Sequence, residues 1–265
     1  MSGPLRVERS GPVARVLLAR PEVRNAFNAE LIAALTGTFS ALAAEPADAL
    51  RAVVLAGDGP VFCAGADVTW LRAAADMDLA ANEADAGRLA TMLDTIDTCP
   101  APVIARVHGA ALGGGMGLCA VADIVVTTVD AIFGFTETRL GILPAVIAPY
   151  ALAKIGETHA RALFLPGSRF DAARARDIGL VHEVVADEAA LDARVGALVD
   201  ELLAAGPTAV REAKAVIRRL RGQPAAQARA VAVAAIARQR TSPEGQEGLT
   251  AFLEKRAPSW RTRPD

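Results

Sequence analysis

The chain is poor in several things. Its 265 residues hold three cysteines, an odd number. Cys63, Cys99 and Cys119 stand in separate apolar contexts, which reads as buried reduced thiols of a cytoplasmic protein rather than a disulfide framework. The three histidines, His108, His159 and His182, are far apart. None has ligand spacing with cysteine or carboxylates, so no metal site is expected. There is no basic surplus: 28 Lys and Arg face 30 Asp and Glu, a net charge of −2. That balance gives no electrostatic case for nucleic acid or an anionic membrane. The longest uncharged stretch, residues 107–122, falls short of the roughly 18 residues a membrane span needs. Met1 to Val7 shows no basic segment followed by an apolar run, so no signal peptide is expected. Ser10, Ser40, Ser168, Ser242 and Ser259 lack a nucleophile-elbow context. No internal repeat or low-complexity segment stands out.

Hydrophobic residues, by contrast, make up 52% of the chain, ample for a substantial core. Leu5 to Arg9 and Val13 to Leu18 read as strands joined at Gly11-Pro12, a hairpin. Asn28 is placed to cap a helix whose Leu31, Leu35, Phe39 and Leu42 recur at helical spacing. Arg51 to Ala56, Val103 to Val107, Asp123 to Thr127, Ile132-Phe133 and Leu180 to Val185 read as further strands. Val68 to about Ala75, Ala80 to Thr98 and Ala172 to Asp177 read as helices. From Leu191 onward the pattern is helical only. Alternating strands and helices argue an α/β fold, divided into a core over 1–190 and a helical region over 191–265. The arginines from Arg211 to Arg221 read as the solvated face of a helix.

Three segments draw attention as chemistry. The first is the glycine run Gly113-Gly-Gly-Met-Gly117, which opens a helix after an apolar strand. Glycine weakens a helix, so the run needs a reason. One reason is access to free backbone N–H groups at the helix start, where negative charge on an oxygen is stabilised; the other is close packing or a tight turn. The second is Val61-Phe-Cys-Ala-Gly-Ala-Asp-Val68, where Gly65 between alanines leaves another bare stretch of backbone. The third is Phe133-Gly-Phe-Thr-Glu-Thr-Arg-Leu-Gly-Ile-Leu-Pro144. Glu137 sits there among apolar residues, which suits a raised pKa and proton transfer; a surface glutamate at a helix start is the alternative. Gly115-Met-Gly-Leu-Cys-Ala120 also fits a loose dinucleotide fingerprint. The preceding strand, read as ending near Val107, lies too far away for it. His108 reads as a structural hydrogen-bonding residue, and Trp70 and Tyr150 as pocket or core aromatics.

In order and spacing, these segments resemble the crotonase, or enoyl-CoA hydratase/isomerase, superfamily. The likeness runs through Leu18-Ala-Arg-Pro-Glu-Val-Arg-Asn-Ala-Phe-Asn28, Phe62 to Asp67, Ala111 to Gly115, Ala122-Asp123, the Glu137 segment and Ala251 to Arg256. It implies a spiral of ββα units followed by a helical trimerisation region, and a homotrimer or dimer of trimers. It implies a coenzyme A thioester as ligand and no separate cofactor. The thioester oxygen would be held by the N–H groups of Ala66 and Gly114, and Glu137 would be the catalytic carboxylate. CoA and substrate contacts would fall to Arg24, Ala26, Ala64, Asp67 and Val68, with Phe252 and Lys255 reaching a neighbouring subunit's CoA.

One departure bears on mechanism. Typical hydratases carry a second glutamate in the helix after the glycines, where this chain has Gly117. A single carboxylate suits a Δ3-Δ2-enoyl-CoA isomerase. The continuation from Glu137 to Tyr150, with Asp67-Val-Thr-Trp-Leu71 and Ser242 to Arg256, is instead most like the branch that hydrates 3-methylglutaconyl-CoA, or the related isohexenylglutaconyl-CoA. Such a substrate carries a distal carboxylate, for which Arg139 and Arg72 are the candidate partners. A non-catalytic acyl-CoA-binding protein is the alternative outside enzymes.

Overall fold

The structure, a computed structural model, describes residues 3–261. Among these residues the strands and α-helices run β1 (Leu5–Ser10), β2 (Val13–Leu18), α1 (Ala29–Ala43), β3 (Ala52–Gly57), α2 (Val68–Ala75), α3 (Leu79–Asp97), β4 (Val103–Val107), β5 (Ala110–Leu112), α4 (Gly114–Val121), β6 (Ile124–Thr128), β7 (Ile132–Gly134), α5 (Ala148–Phe164), β8 (Arg169–Asp171), α6 (Ala172–Asp177), β9 (Glu183–Val185), α7 (Glu188–Ala204), α8 (Pro207–Leu220), α9 (Ala225–Thr241) and α10 (Pro243–Leu253).

The larger sheet has the order β1-β2-β3-β4-β6-β9. β1 and β2 form the expected antiparallel hairpin, and the remaining pairs are parallel. β3 and β4 are buried along their whole length, which is why they read as continuous apolar runs. α1 starts where Asn28 accepts a hydrogen bond from the Leu31 N–H, and it buries Leu31, Ile32, Leu35, Phe39 and Leu42. The smaller sheet is β5-β7-β8, with β5 and β7 parallel and β7 and β8 antiparallel.

This small sheet corrects the sequence reading at β5 and β8. Both are three residues long and, unlike the equally short β7 and β9, carry no β-branched residue to mark them. β5 ends at Leu112, next to the glycine helix, so the long gap after Val107 does not exist. β5 belongs to the small sheet, however, not to the parallel sheet that a dinucleotide fold requires.

α7 packs Leu191, Val195 and Leu198 against Val54, Ile104 and Val126 of the main sheet and so continues the core past residue 190. α8, α9 and α10 stand further out; Ala251 is the residue buried in them. The expectation of a solvated basic face on α8 holds at Arg218, Arg219 and Arg221, which are exposed, and fails at Arg211. Arg211 donates to the carbonyls of Glu45, Pro46 and Leu50, at and beyond the end of α1, and Lys214 pairs with Asp123 at 2.6 Å. Arg218 pairs with Asp97 at 3.5 Å. Arg211 and Lys214 turn toward the body because backbone carbonyls and an acid there need donors. Ile217 is left outside, 68% exposed. No helix among the described residues is long and apolar enough to cross a membrane.

Candidate active site

Two bends meet without side chains between them. Phe27 pairs with Ala66 in an isolated parallel bridge: the Phe27 N–H donates to Gly65 O at 2.6 Å and the Asp67 N–H to Phe27 O at 2.8 Å. That pattern uses the residues flanking Ala66, so Ala66's own N–H turns away from Phe27 and has no backbone partner among the described residues. Cys63 pairs in the same way with Ala111. This sets Gly65 against the turn at Leu112-Gly113. A β-carbon on Gly65, where φ is +98°, would stand 2.9 Å from Leu112 O. Gly114 opens α4, so its N–H has no intrahelical acceptor. A β-carbon there would come within 2.6 Å of the Phe27 ring. The glycine run thus answers to both explanations offered above: it permits close packing, and it leaves free amides at a helix start.

Glu137 follows β7 and opens a short 3-10 turn, Glu137–Leu140. Its Oε1 lies 3.4 Å from where a β-carbon on Gly113 would stand. Its Oε2 is buried with no hydrogen-bond partner. Burial pushes the carboxyl above the ordinary glutamate range, opposed in part by a backbone hydrogen bond. The acid therefore sits against the residue that immediately precedes the Gly114 amide. The register between β5 and β7 sets this: Leu112 pairs with Gly134, and the Gly113 N–H donates to Gly134 O at 2.9 Å.

The position of the missing second carboxylate is closed. A β-carbon on Gly117 would lie 2.7 Å from Ile147 Cγ2 and 3.3 Å from a Leu93 methyl. The wall at this point is aliphatic.

Other expected residues are distributed around this centre. The Asp67 carboxylate pairs with Arg20 at 2.9 Å and caps α2 through the Thr69 N–H. Burial pushes that carboxyl up, and the Arg20 and Thr69 hydrogen bonds more than offset it, holding it below its usual range. The Ala64 N–H donates to Arg24 O at 3.0 Å, and Ala26 is buried with its carbonyl bound to Arg20. Arg24 is exposed with φ at 56°. Val68 is exposed at the start of α2, and Arg72 lies exposed further along it, with no ion pair among the described residues. Arg139 packs on Gly167, donates to Pro166 O at 3.2 Å and lines a surface cleft of about 560 Å³ with Arg169. Phe252 and Lys255 are exposed around the end of α10.

Sequence reasoning missed Arg20 and Asn25. Asn25, fully buried, accepts from the Arg20 N–H and donates to Asp58 O and Val61 O, holding the bend that carries Phe27. Nothing local marks either residue, since their partners lie up to 47 positions away. His108 is structural, bonded to Gly59 O at 2.8 Å and to Arg106. Trp70 and Tyr150 are half-buried against the main core. All three cysteines are free and buried, and burial pushes Cys63 and Cys119 up to about 12, so neither is a thiolate nucleophile.

Two packed bends with unpartnered amides and one buried acid make a site that can hold a negatively charged oxygen and move a proton beside it. The chain matches the family model described as enoyl-CoA hydratase/isomerase over residues 8–263, and it belongs to that family. An enoyl-CoA hydratase from Shewanella pealeana superposes with a TM-score of 0.92 at 36% identity, covering 97% of this chain and 96% of that one. Pseudomonas aeruginosa AtuE superposes at 0.94 with 35% identity, covering 98% and 100%. The human mitochondrial enoyl-CoA hydratase domain-containing protein 2 is 33% identical over 256 residues, 94% of this chain and 85% of that one. The chain is accordingly an enzyme of this family, and its substrate class is an acyl-CoA.

Proposed function

We propose that this enzyme adds water across the α,β-double bond of a branched, carboxylate-bearing enoyl-CoA of the 3-methylglutaconyl type. The observation that carries the reading is the Glu137 carboxylate lying against Gly113, beside the free amide of Gly114. In this scheme the Ala66 and Gly114 N–H groups hold the thioester oxygen. Charge builds on that oxygen as the enolate forms, and each such donor lowers the barrier by about 3–4 kcal/mol. Water oxygen bonds to Cβ, and a proton reaches Cα on the same face. Glu137 is the group that exchanges the proton with water or with Cα; its raised pKa suits both directions. No cofactor beyond the thioester is needed.

CoA would lie along Arg24, Ala26, Ala64, Asp67 and Val68. Asp67 would contribute through its place in the bend, since its carboxylate is already taken by Arg20. For the distal carboxylate, Arg72 is favoured over Arg139, which is anchored to the Pro166 carbonyl. Phe252 and Lys255 would serve a neighbouring subunit in a trimer or dimer of trimers. The exposed apolar side chains of Ile217, Val233, Ile236 and Phe252 on α8, α9 and α10 support that assembly. The expected setting is the cytoplasm.

A second reading, Δ3-Δ2-enoyl-CoA isomerisation, is favoured by the aliphatic wall at Gly117, which leaves one carboxylate to move a proton between carbons. Parallel assays decide. Hydration of 3-methylglutaconyl-CoA at a higher kcat/KM than isomerisation of a straight 3-enoyl-CoA is expected. Preference for the straight 3-enoyl ester would overturn the hydratase proposal. Tight CoA-ester binding with no turnover across a panel of enoyl-CoA esters would support the non-catalytic alternative.

A further inference from the structure

α4 is an unusual helix to place at a site. It has eight residues, three of them glycine, and no side chain caps its start. Glycine lowers helix propensity more than any residue but proline, so α4 is held by what surrounds it. From Gly115 to Val121 every residue is buried. At its far end stands Lys154, on α5. The Lys154 Nζ donates to Cys119 O at 2.8 Å and to Ala122 O at 2.6 Å. Those carbonyls belong to the last turn, which no intrahelical N–H satisfies. They are the side-chain hydrogen bonds α4 receives among the described residues.

We propose that Lys154 is a positioning residue for the reaction: by closing the C-terminal end of α4 it fixes where Gly114 presents its amide. This rests on the reading that Gly114 holds the thioester oxygen. The ammonium is enclosed, and burial pulls its pKa down to about 8, so near neutral pH it still carries its charge. A positive charge at a helix C-terminus is favourable and aligned with the dipole whose positive end faces the thioester. α5 also braces α4 nearer the site, through Ile147 against Gly117. A helix of this length is a short rigid rod, about 12 Å at 1.5 Å per residue. Release at one end is therefore felt at the other. Oxygen held at Gly114 gains most in the transition state, so displacement lowers kcat more than it raises KM.

The test uses the full-length protein and its K154M and K154R variants. Steady-state kinetics on the preferred enoyl-CoA are read beside binding of a saturated acyl-CoA and amide hydrogen exchange across α4. K154M is expected to lose at least tenfold in kcat, with KM and saturated acyl-CoA binding within threefold. Its Gly114–Cys119 amides should exchange faster, and K154R should stay within threefold of the parent. A K154M kcat within twofold of the parent, an equal change in KM, or unchanged exchange would overturn the proposal. If K154M does not fold, K154Q carries the same readouts. Exchange needs no substrate, so it separates failure of this role from a wrong choice of acyl group.

Discussion

A β-carbon on Gly117 would stand 2.7 Å from Cγ2 of Ile147. That is closer than real side chains approach, so residue 117 and the residue before α5 are matched as a pair. Gly117→Ala should destabilise by roughly 1–3 kcal/mol through overpacking. Combining it with Ile147→Ala should cost less than the two changes summed, with a coupling of about 0.5–3 kcal/mol. Chemical denaturation of the four proteins in the cycle measures this; strict additivity would mean the contact is not felt.

Replacing Glu137 by Gln keeps shape and removes the proton acceptor. kcat should fall by about 10²–10⁴-fold, while affinity for a saturated acyl-CoA stays within a few fold. Turnover near the parent level would take the acid–base role away from Glu137.

The same variant has a stability signature. The Glu137 carboxyl titrates above its unfolded value because burial disfavours its charge. Its protonated form therefore stabilises the fold fully below the unfolded pKa, and that contribution is lost as pH rises through the folded pKa. Glu137→Gln should accordingly raise Tm at pH 7 and show no advantage at pH 4. Thermal melts at the two pH values check it; a lower Tm at pH 7 would contradict the desolvation argument.

Asp67 runs in the opposite direction, held low by Arg20 despite its burial. The contribution of that pair is present at neutral pH and is lost as pH falls through the depressed pKa. Arg20→Met leaves a buried carboxylate unpaired and should cost roughly 3–5 kcal/mol. Adding Asp67→Asn should recover part of that loss. Urea titrations of both variants decide, and an unrecovered double variant would point to Arg20's bond to the Ala26 carbonyl instead.

What was legible in the sequence had a local signature. The Asn28 cap, the α1 stripe and the helix Ala172–Asp177 each carry their cause within the element itself. Glu137's apolar neighbours announced its desolvation. What was not legible depends on partners far along the chain. Arg20 and Asn25 act on residues dozens of positions away, and β5 and β8 are too short to show a period. Arg211 was misread because a basic helix face looks solvated until the carbonyls it meets are known.

The pairing of Leu112 with Gly134 has a consequence for how this architecture tolerates change in chain length. Amide and acid depart from one rung of a two-strand ladder, each within a few residues of it. An insertion in the turn before Ile132 lengthens only the outside connection. One extra residue between Gly134 and Glu137 would change the spacing that sets the carboxyl against Gly113. An insertion before Ile132 leaves the spacing from that rung to Glu137 unchanged, and one after Gly134 does not.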